Sequence, residues 1–257
     1  TPSNSSAASD VYKRQILDIS PELVAVASTG VIGEFLPVKK MVSRLPSLCK
    51  GMGREKITDF SRAILTTDTV TKIAYRQRVI EGEKVIIVGI AKGAGMINPT
   101  LATMLVFILT NAAIMPQSLP ALLEEGTRET FNRITVDGDT STNDMVLLLA
   151  NGMAGNELIC SGTRQGEAFQ QALTGLCIHL AKMMARDGEG ATTLIEVTVN
   201  GAPDRAAARQ VARTVAGSTL VKTAVNGRDP NWGRIMAAAG RSGVEVVESK
   251  IDLYLNN

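Results

Sequence analysis

Histidine is nearly missing from this chain: His179 is the only one in 257 residues. That scarcity argues against chemistry in which an imidazole takes and returns the proton. His179 lies in an apolar helical stretch, GlyLeuCysIleHisLeuAlaLys, away from any Gly-Xaa-Ser-Xaa-Gly turn, and reads as a core or edge residue. Cysteine is also scarce. Cys49, Cys160 and Cys177 are too few and too scattered for a disulfide framework, and with one histidine they offer no zinc-ligand spacing. They read as small buried apolar residues of a reducing compartment. Excess charge is lacking too, since 27 Lys and Arg face 25 Asp and Glu for a net +2. With no basic run, neither nucleic acid nor an anionic membrane is an expected partner. No window reaches the roughly 18 unbroken apolar residues of a spanning helix. The most apolar stretch, 101–115, is interrupted by Thr103, Thr110 and Asn111. A cytoplasmic protein is expected.

What is present is a globular composition, with 45% apolar and 20% charged residues. The first fifteen residues, TPSNSSAASDVYKRQ, are small and polar and lack the apolar core of a secretion signal. Residues 1–15 are therefore expected to be an appended or disordered segment. Residues 23–28 read as a short strand ending at Thr29-Gly30. Helices are expected over 38–51 and 56–65, the second ending in the hydroxyl-rich Thr66-Thr67-Asp68-Thr69. A β-prone run over 84–90 leads into Lys92-Gly93-Ala94-Gly95. The following run, 100–115, reads as a helix buried on most sides. A more polar helix over 117–130, a strand over 133–136 and an apolar run over 145–150 come next. The clearest amphipathic helix covers 166–186. Strands are expected over 194–199, 244–247 and 251–255, with an Ala-rich helix over 204–217. Strands and helices mix without a regular βαβ cycle, which predicts a layered α+β fold.

Several chemistries fail on spacing. Lys92 precedes its glycines, so the turn is no phosphate cradle. The loop opening at Asp137-Gly138-Asp139 superficially resembles a calcium loop, but Thr142 stands where Gly is needed and Leu148 where a bidentate Glu is needed. Its acids and hydroxyls are expected to fix a turn by local hydrogen bonds instead. What remains is Thr103. A threonine at a chain N-terminus acts without histidine, because its own α-amine, with an ordinary pKa of about 7.7–8.0, accepts the hydroxyl proton. An internal threonine reaches that state when its Oγ attacks the preceding carbonyl and water opens the resulting ester. Spacing alone does not decide this, since a threonine in a helix is usually structural.

Five motifs then carry a resemblance: VASTGVIGE (26–34), KGAGMINPTLATML (92–105), FNRITVDGDTSTND (131–144), ARDGEGAT (185–192) and LVKTAVNGRDPNWGRI (220–235). From about Leu23 onward the chain resembles the ornithine acetyltransferase (glutamate N-acetyltransferase) family of arginine biosynthesis. The resemblance implies a layered α/β sandwich and self-cleavage between Ala102 and Thr103. It divides the chain into 16–102, the end of an α-chain region, and 103–257, a β-chain region. It implies that Thr103 is the nucleophile, and that the Thr29 hydroxyl and Gly30 N–H form an oxyanion hole. Thr66, Lys92, Thr103 and Glu189 then bind substrate. An ammonium at Lys92 suits a carboxylate, and a carboxylate at Glu189 suits the free amine of ornithine.

The implied activity is acetyl transfer from N-acetylornithine to glutamate with no cofactor or metal, acetyl-CoA being a further donor in some members. The implied partners are these small molecules and the paired α and β chains, which associate further. A related N-terminal-nucleophile aminopeptidase and an inactive fragment are the alternatives. The sequence departs from the family pattern at Pro99-Thr100-Leu101 and at Asn111, where an Asp is usual; Asn111 is expected to remove a charge close to the site. Members carry more chain before VASTGVIGE and after Leu255, so a fragment lacking part of its sheet and pocket is expected.

Overall fold

The computed structural model describes residues 19–20, 23–98 and 104–256. Residues 1–15 and the Ala102–Thr103 bond, with Thr103 itself, lie outside them, as does the expected boundary between 102 and 103. The chain forms two compact units, Thr1–Ile64 and Leu65–Asn257.

Among its described residues the first unit has the α-helices α1 (Val38–Lys50) and α2 (Ile57–Ala63). Residues 23–28, expected as a strand, are irregular backbone. Their composition favours extension, but no neighbouring strand pairs with them among the described residues, and strand stability comes from that pairing.

The second unit is built on a four-stranded sheet in the order β1 (Lys72–Ile80), β2 (Glu83–Lys92), β3 (Leu105–Thr110) and β4 (Met145–Ala150). β1 and β2 form a hairpin closed by Glu81-Gly82, with Ile80 opposite Glu83. β2 and β3 are also antiparallel, whereas β3 and β4 are parallel. A parallel pair requires a crossover, and helix α3 (Leu119–Arg128) lies in it. Helix α4 (Arg164–Arg186) opens at Thr163, whose Oγ1 accepts the Gly166 N–H at 3.1 Å. It buries Phe169, Leu173, Leu176, Cys177, Leu180 and Met184, one face at helical spacing, and packs across β1 and β2.

Gly89 makes that approach possible. A Cβ there would lie 2.6 Å from Leu176 Cδ2 and from Leu180 Cδ1, inside contact distance. Burial of each large apolar side chain in this layer contributes about 1.5–3 kcal/mol. The other face of the sheet carries a cross-strand row of Tyr75, Val88, Leu109 and Leu149, of which Tyr75, Leu109 and Leu149 are exposed. Three further helices, α5 (Arg205–Ala216), α6 (Thr219–Asn226) and α7 (Trp232–Gly240), contribute a second small core of Val215, Val221, Ala238 and Ala239.

The α+β expectation holds, and the amphipathic helix is where the periodicity put it. The run 100–115 is the main correction: its described part is strand β3, not helix. A continuous apolar run fits a buried strand as well as a buried helix, and pairing on both edges selects the strand. β1 is unforeseen, because Arg76, Gln77 and Arg78 break its apolar alternation. Residues 133–136, 194–199, 244–247 and 251–255, expected as strands, form no ladder. Cys177 is fully buried, and burial pushes its thiol up to about 12, while Cys49 and Cys160 are only partly covered. His179 is exposed on α4. Among the described residues, no helix is long and apolar enough to cross a membrane.

Candidate functional site

The sheet register brings three strand ends into one row. Lys92, the last residue of β2, stands opposite Leu105, and Leu105 stands opposite Met145. One step further out lie Met104 and Asp144, each the residue before its strand. Asp144 Oδ1 accepts the Met104 N–H at 2.9 Å, and the Met145 N–H donates to the Met104 carbonyl at 3.0 Å. Met104 is the residue that follows Thr103 in the sequence.

Lys92 is 1% exposed, an unusual position for an ammonium. Its Nζ donates to Thr66 Oγ1 at 3.2 Å. Burial pushes its pKa down from the ordinary lysine value; Asp68 and Asp144 raise it, and Lys72 lowers it further. Burial likewise pushes the Asp144 carboxyl up, against the Met104 hydrogen bond and the Lys92 charge. Asp144 Oδ2 is buried and has no hydrogen-bond partner among the described residues.

A buried ionic cluster stands behind Lys92. Lys72 Nζ lies 2.6 Å from Asp68 Oδ1 and 2.5 Å from Asp187 Oδ2. Asp68 Oδ1 also accepts the Gly93 N–H at 2.6 Å, and its Oδ2 accepts the Thr66 N–H at 3.3 Å. Asp187, at the C-terminal end of α4, accepts the Thr69 N–H at 3.1 Å and the Thr69 hydroxyl. Burial alone would raise both carboxyls, but Lys72 and these N–H and hydroxyl donors outweigh it and hold both below the usual range. The cluster thus ties the 66–69 loop, the start of the glycine turn and the end of α4 to one another.

Glu189 follows from that last tie. Its N–H donates to the Ala94 carbonyl at 2.8 Å. A Cβ on Gly95 would lie 2.6 Å from Glu189 Oε1, so the absence of a side chain there is what admits the carboxylate. Glu189 also lines a cleft of about 570 Å³ with Thr130, Thr135, Thr192, Thr193 and Lys222.

Of the residues singled out in the sequence, Thr66 and Lys92 are in direct contact, and Glu189 is joined to the turn that follows Lys92. Thr103 lies outside the described residues. Thr29 and Gly30 belong to the first unit, where they precede the turn at Ile32-Gly33, Thr29 half-buried and Gly30 exposed. The loop starting at Asp137 does bond locally, from the Asp139 N–H to Asp137 Oδ1 at 3.0 Å. It also reaches the glycine turn, since Asp137 accepts the Met96 N–H at 2.6 Å and the Ile97 N–H at 3.1 Å.

Asn111 requires a correction. It lies just beyond the far end of β3, about 23 Å from Met104 at the strand rise of roughly 3.3 Å per residue, and so is not close to the site. Its Oδ1 accepts the Ile86 N–H at 2.7 Å and its Nδ2 donates to the Lys84 carbonyl at 3.1 Å.

Sequence reasoning missed Lys72, Asp68, Asp144 and Asp187 as site residues. Three of them lie inside segments already noted, TTDT, STND and ARDGEG. Lys72 gave no signal, because a lysine at the start of a strand reads as a solvated edge residue.

Residues 4–257 match the model of the ArgJ family. The chain is 51% identical over 239 residues to the arginine biosynthesis bifunctional protein ArgJ of Thermosynechococcus vestitus, covering 93% of this chain and 57% of that protein. It is 51% identical over 243 residues to the protein of that name from Symbiobacterium thermophilum, covering 95% and 60%. The chain therefore spans under two thirds of the length of these curated relatives. The crystal structure of the arginine biosynthesis bifunctional protein argJ from Bacillus halodurans superposes with a TM-score of 0.54 at 53% identity, over 55% of this chain and 66% of that one.

Proposed function

The chain belongs to the ArgJ family, and on that premise we propose that it transfers an acetyl group from N-acetylornithine to glutamate through an ester on Thr103. In this reading Thr103 Oγ first attacks the Ala102 carbonyl and water opens the ester, leaving Thr103 as a new N-terminus. Its α-amine then takes the Oγ proton as Oγ adds to the acetyl carbon. The Thr29 hydroxyl and the Gly30 N–H donate to the developing oxyanion, each such donor contributing roughly 2.7–4 kcal/mol in acyl transfer. The carbon–nitrogen bond breaks, the ornithine amine leaves with the proton, and the acetyl ester remains on Thr103. The amine of glutamate attacks that ester, N-acetylglutamate departs and Oγ regains its proton.

Lys92 holds the substrate carboxylate, Thr66 orients Lys92, and Glu189 receives the side-chain ammonium of ornithine. The reaction needs no cofactor or metal, and acetyl-CoA serves as an alternative donor at the same ester. The α and β chains, 16–102 and 103–257, stay together after cleavage and associate further.

The observation that carries this reading is the Lys92–Thr66 pair. A buried ammonium held by a hydroxyl at 3.2 Å, in the strand row next to Met104, suits a carboxylate substrate lying beside Thr103. Assay of the chain with N-acetylornithine, with and without glutamate, tests it. The expected result is ornithine and N-acetylglutamate formed together and only with glutamate present. Acetate released at the same rate without glutamate would replace transfer by hydrolysis, the aminopeptidase-like alternative.

A further inference from the structure

The cleft that Glu189 lines is charged, and most of its charges already have partners. Glu129 pairs with Arg133 and Arg209, Glu196 pairs with Lys182 at 2.5 Å, and Arg213 donates to Asn98 Oδ1 at 3.2 Å. Two opposite charges are left over. The carboxylate of Glu189, on the exposed side of the cleft, has no ion pair among the described residues. Lys222, on α6, has none either; its Nζ donates to the Val136 carbonyl at 2.6 Å and keeps its other N–H groups for a ligand.

Val136 brings these two charges to one place. Its carbonyl receives the Lys222 ammonium, and its side chain lies against Gly188, where a Cβ would stand 2.8 Å from Val136 Cγ1. Glu189 is the next residue. The Val136 N–H donates to the Ile97 carbonyl at 2.8 Å, which ties both charges to the glycine turn. One helical turn beyond Lys222, Asn226 accepts the Thr192 hydroxyl at 3.2 Å, so α6 is also held to the segment that follows Glu189.

We propose that Lys222 is the contact for the side-chain carboxylate of glutamate, in the same cleft in which Glu189 receives the side-chain ammonium of ornithine. The inference rests on the reading that one ester serves both amino acids, with the α-carboxylate of each held at Lys92. The ornithine nitrogen and the glutamate carboxylate oxygens stand equally many bonds beyond the α-carbon, so both reach the same part of the cleft. They carry opposite charge. A cleft lined by Glu189 alone would attract the first and repel the second. An ammonium anchored beside it gives each amino acid its own counter-charge. Lys222 suits this task because the Val136 carbonyl fixes its ammonium without neutralising it.

Calorimetric titration of the full chain with glutamate, glutamine and ornithine tests this without turnover, since none of the three carries an acetyl group to transfer. Lys222→Gln removes the charge, while its amide can still donate to the Val136 carbonyl. Glutamate is expected to bind this variant about tenfold more weakly than wild type, the loss of one hydrogen bond between charged groups. Ornithine is expected to bind it a fewfold more tightly, because a like charge has gone. Wild type is expected to prefer glutamate to glutamine about tenfold, and the variant to bind the two alike.

A role confined to packing would weaken all three ligands together, and that result overturns the inference. So does a variant that keeps the wild-type preference for glutamate. Lys222→Arg keeps the charge and is the readout if the glutamine variant does not fold. It is expected to retain the preference, and a folded arginine variant without it also overturns the inference. A wild type that makes N-acetylglutamate yet binds glutamate and glutamine alike overturns this inference and leaves acetyl transfer standing. A chain that binds glutamate through Lys222 but makes no N-acetylglutamate upholds the contact and removes the transfer reading.

Discussion

The ammonium of Lys72 lies 2.5 Å from the carboxylate of Asp187 with both side chains removed from solvent, and the two are 115 positions apart in sequence. The pair closes a cluster with Asp68 that holds the loop bearing Thr66 and the turn after Lys92. Lys72→Met would leave two carboxylates buried without their cation. Breaking a buried pair in this way typically costs about 3–5 kcal/mol, so thermal unfolding of Lys72→Met is expected well below that of wild type. A melting temperature within a degree of wild type would show that the cluster does not hold this end of the sheet.

The same cluster sets the behaviour in acid. Asp68 and Asp187 have folded-state pKa values below the ordinary carboxylate value. Their contribution is therefore fully present above that ordinary value, about 3.9, and is lost as pH falls through the lower folded-state values. Asp144 is shifted the other way: its protonated form favours the fold at low pH, and that contribution is lost as pH rises through its raised value. Melts across pH 2–7 should thus show wild type losing stability below about pH 4. Asp144→Asn should match or exceed wild type at pH 7, with the difference vanishing in acid. An asparagine variant less stable at neutral pH would mean that the carboxylate has a charged partner stronger than Lys92.

Lys92→Met separates binding from folding. Methionine fills a similar volume without a charge to bury, and Lys92 forms no ion pair among the described residues, so the gain offsets the lost Thr66 bond and the variant is expected to be about as stable as wild type. In acetyl transfer it should lose roughly ten- to a hundredfold in kcat/KM, about the 1.5–3 kcal/mol of a hydrogen bond to a charged group, mainly through KM. Steady-state kinetics beside a thermal melt decide it. Unchanged kinetics would move the substrate carboxylate away from Lys92.

Gly95→Ala probes Glu189 without touching it. The new Cβ would lie 2.6 Å from Glu189 Oε1, the far end of an exposed, flexible side chain that can swing aside. Stability should therefore change by less than about 1 kcal/mol. The KM for N-acetylornithine should rise severalfold, as the carboxylate no longer sits where it meets an ammonium. An unchanged KM together with a lower melting temperature would mean that the turn, not Glu189, is what Gly95 serves.

The parts legible in the sequence were those with a local cause. The stripe of α4 from Phe169 to Met184 follows from helical spacing, and β2 follows from a β-branched run between two turns. Thr66, Lys92 and Glu189 were legible only through the motifs around them, and their convergence depends on register. β3 was misread because a fully apolar run carries no period. β1 was missed because its exposed arginines hide its pairing with β2. Lys72 and Asp187 found each other through the packing of α4 on the sheet, which no stretch of chain announces. Asp144 and Met104 met through a parallel register, a relation between two strands and not a property of either.

Asn111 tests that same distinction between nearness in sequence and nearness in space. It is eight residues from Thr103, which made a charge there seem relevant to the site. Its side chain instead spans β2, accepting from the Ile86 N–H and donating to the Lys84 carbonyl. Asn111→Asp keeps the acceptor but puts a carboxylate oxygen against that carbonyl, with no N–H to donate. Loss of one hydrogen bond and the repulsion that replaces it should cost about 1–3 kcal/mol at neutral pH. The loss should shrink as pH falls and the carboxyl takes up a proton it can donate. Acetyl-transfer kcat/KM should stay within twofold of wild type, because the change lies at the opposite end of β3 from Met104. A kinetic effect without a stability effect would mean that charge at this end of the strand is felt at Thr103, and that the sheet is not the insulating frame its register describes.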